Sequence, residues 1–149
     1  MRFFRFCGIV ISVFISASLL FVASLMKNPY GSLWARGERM DREYYLCSPS
    51  SQAKICGSIC LAEYCLLEGE RSSFLFQSEQ EAAFQAAQLL KESRARLVRV
   101  EEVEGARSYY AYSETLGDGV ALFGEVVNLH VVQSGRIVRV GTPLIFGGY

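Results

Sequence analysis

The apolar positions divide the chain into two unlike parts. Residues 7–26, CGIVISVFISASLLFVASLM, contain no charge, and twenty helical residues at 1.5 Å each span about 30 Å, the thickness of a bilayer's hydrocarbon core. Beyond this run the apolar residues fall in short periodic sets. Ser78-Glu79-Gln80-Glu81 has the form of a capping box, in which a serine oxygen accepts from a free backbone N–H and a glutamate reaches back. Ala83, Ala86, Ala87 and Leu90 then recur at helical spacing with Phe84 beside them, which predicts an amphipathic helix over 78–93. Strands are predicted at 43–47, 72–76, 96–103, 106–113, 126–132 and 136–140. Glu104-Gly105 reads as a turn, and Gln133-Ser134-Gly135 as a three-residue hairpin loop. Residues 52–65 are ambiguous: Ile55, Ile59, Ala62 and Leu66 step like a helix, but Gly57 and β-branched neighbours oppose one. The expected fold class is α+β, with an N-terminal transmembrane helix followed by an antiparallel sheet packed by one long helix.

This pattern suggests residues 1–27 as a signal anchor, 28–42 as a juxtamembrane linker and 43–149 as a single extracytoplasmic domain. Arg2 and Arg5 precede the apolar run and the first acidic residue is Glu38, which favours a cytoplasmic N-terminus. The run exceeds the usual 7–15-residue core of a secretory signal. Val22-Ala23-Ser24 nevertheless leaves cleavage and secretion as the alternative. Asn28-Pro29 and Gly31 would end the anchor helix, and Trp34 suits the headgroup region. A single-pass protein of the cell membrane is therefore expected, its membrane contact made by residues 7–26.

Charge and cysteine content narrow the functional classes. From Asn28 onward the chain is slightly acidic, so it lacks the basic footprint of a nucleic-acid binder, and no nucleic-acid partner is expected. Cys47, Cys56, Cys60 and Cys65 lie within nineteen residues on the side expected to be oxidising. They are candidates for two disulfides, for buried thiols, or, with looser spacing and no nearby histidine, for a zinc site.

Candidate chemistry is sparse. His130 is the sole histidine and is expected on a strand face with Val126, Asn128 and Val132. A general base needs a partner within hydrogen-bond reach, and no nucleophile motif accompanies it. Glu101, Glu102 and Glu104 fit a solvated strand end better than a pair of catalytic acids, and Arg94, Arg96, Arg99 and Arg107 could neutralise them across strands. Gly117-Asp118-Gly119 offers one carboxylate, too few oxygens for calcium. The closing GTPLIFGGY lacks the Lys-Ser/Thr of a phosphate loop. It is expected to continue the sheet through Leu144, Ile145 and Phe146, with Tyr149 fixing the end. No cofactor, metal or catalytic residue is therefore assigned. Tyr110 and Tyr112, which share a strand face, and Arg107 beside them are the candidate partner-binding residues.

SYYAYSETL at 108–116, GEVVNLHVV at 124–132 and VGTPLIFGGY at 140–149, preceded by the helix and ARLVRVEEVEGARSYYAYS, resemble the order of blocks in the YwmB family of extracytoplasmic proteins from spore-forming Firmicutes. The resemblance covers about Glu68 to Tyr149. It implies a TATA-box-binding-protein-like fold, a curved antiparallel sheet backed by helices, shortened here in its N-terminal half. It also implies an envelope role linked to sporulation, and transfers no catalytic residue. The leading expectation is a non-enzymatic binding or scaffold module of the cell envelope. An envelope hydrolase or transferase using His130 or the glutamates is one alternative, and a nucleic-acid-binding saddle-like sheet is another.

Overall fold

A computed structural model describes residues 36–47 and 54–145. The expected anchor at 7–26, its cleavage site, Trp34 and residues 146–149 lie outside the described residues. No helix among those described is long and apolar enough to cross a membrane.

The described residues form an antiparallel sheet with one α-helix against it, an α+β arrangement. The strands are β1 (Glu38–Leu46), β2 (Lys54–Cys56), β3 (Leu67–Leu75), β4 (Arg96–Val103), β5 (Ala106–Tyr112), β6 (Val120–Leu122), β7 (Glu125–Val127), β8 (Leu129–Ser134) and β9 (Ile137–Thr142). The helix, α1, spans Glu79–Glu92, and 3-10 turns cover Leu61–Leu66 and Glu114–Leu116. Seven strands form the main sheet in the order β2-β1-β3-β9-β8-β5-β4, and β6 and β7 form a separate hairpin. The chain therefore leaves β3 through α1, reaches the far edge at β4, and works back by antiparallel neighbours until β9 lies beside β3.

Local chemistry sets the ends of α1. Ser78 Oγ accepts from the Glu81 N–H at 3.1 Å, as the capping pattern predicts, while Glu81 accepts from the Gln77 N–H. The buried stripe is rotated from the one predicted. Ala82, Gln85, Ala86, Leu89 and Leu90 face inward, and Ala83, Phe84 and Ala87 face solvent. Alanines at four positions allow either phase; Leu89 supplies the larger apolar area, and Arg36 donates to the Gln85 side-chain oxygen at 3.2 Å, so the glutamine is accommodated at the core margin.

The helix packs over the middle of the sheet. Phe74, Val138, Val140, Val131, Leu129 and Ala111 rise from four adjacent strands to meet Ala82, Ala86 and Leu89. Strand alternation then puts Ser73, Arg139, Val132, His130, Ser108 and Tyr110 on the opposite face.

Several expected boundaries change. β1 begins at Glu38, so residues 38–42, read as part of the linker, belong to the sheet. They are held there by antiparallel pairing with β3 and by Arg42 on Glu70 and Arg71 on Glu43. The expected 126–132 strand breaks at Asn128, whose side chain enters a buried polar corner described below. Gln133 and Ser134 remain in β8, leaving Gly135-Arg136 as the turn. The largest change is at the C-terminal end. β9 stops at Thr142, and Ile145 does not extend the sheet but lies back on its open face against Ala106 and Val132. Gly141 permits this: a Cβ there would meet Ile145 Cγ1 at 2.7 Å.

Candidate functional site

The open face carries a row of rings that runs from the middle of the sheet to the β4 edge. His130 on β8 and Tyr110 on β5 are cross-strand partners. Their rings stack with centroids 4.3 Å apart and planes 17° from parallel. Phe123, at the tip of the β6–β7 hairpin, meets Tyr110 edge-on at 5.1 Å. The Arg99 guanidinium lies over the Phe123 ring at 4.4 Å. Arg96 joins Glu125 at 2.8 Å and ties the same hairpin to the start of β4.

The hairpin tip is strained. Phe123 and Gly124 both have positive φ, 56° and 78°. This suits a tight two-residue turn, but the left-handed region is unfavourable for a bulky side chain. The turn holds the Phe123 ring against Tyr110 and Arg99 while leaving it 45% exposed.

His130 is 2% exposed. Its Nδ1 accepts from the Ile145 N–H at 3.3 Å, which ties the returning chain to the sheet. Burial pushes its pKa down from 6.5 to about 4, so the ring is neutral at physiological pH. The position expected for it beside Val126 and Asn128 is corrected: Val126 belongs to the hairpin, Asn128 to the bend between strands, and His130 shares its face with Val132.

The candidate contact residues are divided by the sheet. Tyr110 and Tyr112 lie on the open face as expected, but Tyr110 is 8% exposed between His130 and Phe123. Tyr112 is half-buried and is the cross-strand partner of Arg96. Arg107 is exposed on the opposite, helix-bearing side, paired with Glu102 at 3.4 Å. The Tyr109 side chain, and then Glu102, raise its pKa further. Glu101 is paired within β4 itself, to Arg99 at 2.8 Å, so of the expected pairings Arg107–Glu102 is the one that crosses from β5 to β4, and Arg96 reaches Glu125 on the hairpin instead. Glu104 occupies the predicted Glu104-Gly105 turn with φ 52°.

Cys47, Cys56 and Cys60 stand as free thiols, Cys47 and Cys60 exposed. The Cys65 side chain is outside those described. Cys47 follows β1, Cys56 ends β2 facing the Tyr44 carbonyl, and Cys60 opens the turn capped by Glu63. Glu68 raises the pKa of the Cys47 thiol by accepting its hydrogen bond and by its charge, while the Cys60 hydrogen bonds lower that of Glu63. Among the described residues no group of three or more His, Cys, Asp or Glu is placed to hold a metal ion.

Two features had weak signals in the sequence. One is the aromatic tip at Phe123-Gly124, hidden within an apparently ordinary strand approach. The other is the buried corner around Asn128. The Asn128 Nδ2 donates to the carbonyls of Ser113 and Gly117 at 2.8 and 2.7 Å, and its Oδ1 accepts from the Ser113 N–H at 2.7 Å. The Ser113 hydroxyl donates in turn to the Ser93 carbonyl. This polar knot fixes the end of α1, the 113–119 loop and the start of β8, and so sets the base from which the hairpin projects.

Comparison with protein-family models, with curated proteins and with solved structures found no match.

Proposed function

We propose that this chain is a non-enzymatic contact module of the cell envelope. Residues 7–26 anchor it in the membrane, and the sheet domain is held on the extracytoplasmic side. Its contact surface is the β4 edge together with the β6–β7 hairpin. One observation carries this reading. Leu97, Val100, Val103, Phe123 and Val126 are five of the nine large apolar side chains that stand exposed among the described residues, and all five lie on β4 or on the hairpin tied to it. They line one edge of the sheet on both faces, Leu97 and Val100 on the helix-bearing side and Val103 and Phe123 on the open side. Apolar exposure gathered along one edge next to charged side chains is the mark of an interaction surface, whereas scattered exposed residues need no explanation.

Tyr112 and Arg107 flank this edge from the neighbouring strand, one on each face, and Tyr110 supports Phe123 from below. The similarity of the C-terminal blocks to the YwmB family supports the envelope assignment, the TATA-box-binding-protein-like fold class and a link to sporulation. The antiparallel sheet with a helix on one face is compatible with that class. The burial of His130, its acceptor nitrogen occupied by Ile145 and its low pKa weigh against a hydrolase or transferase that uses it as a general base. The acid-base balance along β4 weighs against nucleic acid.

The test is site-specific photocrosslinking of the full chain in intact cells. A crosslinker at Val100 or Phe123 is expected to give discrete adducts, and one at Lys54, exposed on β2 at the opposite edge of the sheet, is expected to give none. Equal yields from all three positions would remove the support for an edge-directed contact.

A further inference from the structure

We infer that the β4 edge pairs with the same edge of a second copy of this chain, antiparallel, about a two-fold axis at Val100. This rests on the reading of β4 as the contact surface and adds the identity of the partner. β4 ends the main sheet, bonded to β5 on one side and to no strand on the other among the described residues. Its sequence, RLVRVEEV, is basic in the first half and acidic in the second. An antiparallel copy of such a strand is its electrostatic complement, whereas a parallel copy opposes like charges.

Register follows from the alternation of side chains. A two-fold axis normal to the sheet keeps the helix-bearing sides of both copies together, so opposed residues must share a face. Val98 is a bulge, with Leu97 opposite Ala111 and Arg99 opposite Tyr110, so regular pairing is confined to the segment from Arg99 onward. Within it, an axis at Arg99 would oppose two arginines, and an axis at Glu101 would oppose two glutamates. An axis at Val100 sets Arg99 of each copy against Glu101 of the other. Arg99 and Glu101 are joined within one chain at 2.8 Å. Exchange for the pair across the axis keeps every charge compensated, so charge selects the register rather than supplying the attraction. The attraction comes from completing backbone hydrogen bonds and from Val100, 48% exposed, meeting its counterpart on the helix-bearing side with Leu97 nearby. The bulge and the charges also discourage pairing with unrelated strands, which would not match them.

The experiment measures the mass of the full chain in detergent micelles by sedimentation across a range of protein concentrations. The wild type is expected to form a reversible dimer. Arg99→Glu and Glu101→Arg each place like charges across the axis and are expected to weaken association by about tenfold or more. The first variant carries acids at both positions and the second carries bases at both. Mixed in equal amounts, they set the acids of one chain against the bases of the other, and the mixture is expected to regain dimerisation to near wild type. The double variant Arg99→Glu/Glu101→Arg is likewise expected to dimerise, and it controls for folding. A wild type that stays monomeric at all concentrations would overturn the inference. A dimer indifferent to either single reversal, as one formed through the anchor would be, would overturn it too, as would weakened variants whose mixture does not recover. If the chain is monomeric yet Val100 crosslinks a different protein in cells, self-pairing fails and the contact reading survives; if Val100 crosslinks nothing, both fail.

Discussion

The two faces of the sheet are closed by different means. On one, α1 lays Ala82, Ala86 and Leu89 over a continuous apolar surface drawn from β3, β9, β8 and β5. On the other, cover comes from a few separate devices: Ile145 folded back on Ala106 and Val132, the Phe123 ring against Tyr110, and Arg71 held between Asp41 and Glu43. The helical face buries large side chains against one another and needs no particular protonation state. The open face depends on a neutral histidine, a strained turn and charged pairs. Stability should therefore reside on the first face, and sensitivity to conditions and partners on the second.

The strongest way to break that division is Phe74→Ala. Phe74 is fully buried at the centre of the helical face. Its removal should cost about 3–5 kcal/mol in denaturant unfolding, the range for a large aromatic leaving a cavity. A loss below about 1 kcal/mol would mean the helical face is not where the fold is held.

Acid should act through the open face. The pKa of His130 is lowered by burial from 6.5 to about 4, so the unfolded chain binds this proton more readily than the folded one. Stability from this group is fully present above pH 6.5 and is lost as pH falls toward 4, at up to about 1.4 kcal/mol per pH unit and about 3 kcal/mol in all. Protonation also turns Nδ1 from an acceptor into a donor, which breaks its bond with the Ile145 N–H. His130→Asn keeps an acceptor without the titration. Its unfolding free energy should fall less steeply than that of the wild type between pH 6.5 and 4. Parallel pH profiles would show that the histidine is not the source.

A smaller loss, roughly 2 kcal/mol, is expected for Ile145→Ala, at the low end for a buried isoleucine because the open face is incompletely layered. Amide exchange should quicken on β8 and at Leu144 and Ile145 before it quickens on β3. Equal acceleration throughout would make Ile145 part of a single core and erase the distinction between the faces.

The sequence revealed the helical face better than the open one. The capping box at Ser78, the turn at Glu104-Gly105 and the strands from Arg96 to Tyr112 follow from local rules, and each is present. The phase of the helix could not be read, because alanine is small enough to point either way; Leu89 and the bond from Arg36 to Gln85, 49 residues away, decide it. The C-terminal return was hidden for a related reason. Leu144, Ile145 and Phe146 have the composition of a strand, and the space above Gly141 that accepts Ile145 exists only once β8 and β9 are paired. The ring column was the least legible, since it joins residues from β8, β5, the hairpin and β4 that no spacing connects. Tyr110 and Arg107 could be noticed as residue types, but their places, one covered and one on the far side of the sheet, depend on the pairing of β5.

The smallest expected effect bears most directly on the edge. Val100→Lys replaces a half-exposed apolar side chain on a terminal strand. Inside a single copy it removes little buried area, so the unfolding free energy of the monomer should change by less than about 0.5 kcal/mol. The same change puts two ammonium groups face to face at the proposed axis and removes the apolar contact there. Association should then weaken while the fold does not, a separation that no buried residue could give. If Val100→Lys instead destabilises the monomer by more than about 1 kcal/mol, the valine is part of the helical face's core, and its exposure no longer argues for a partner.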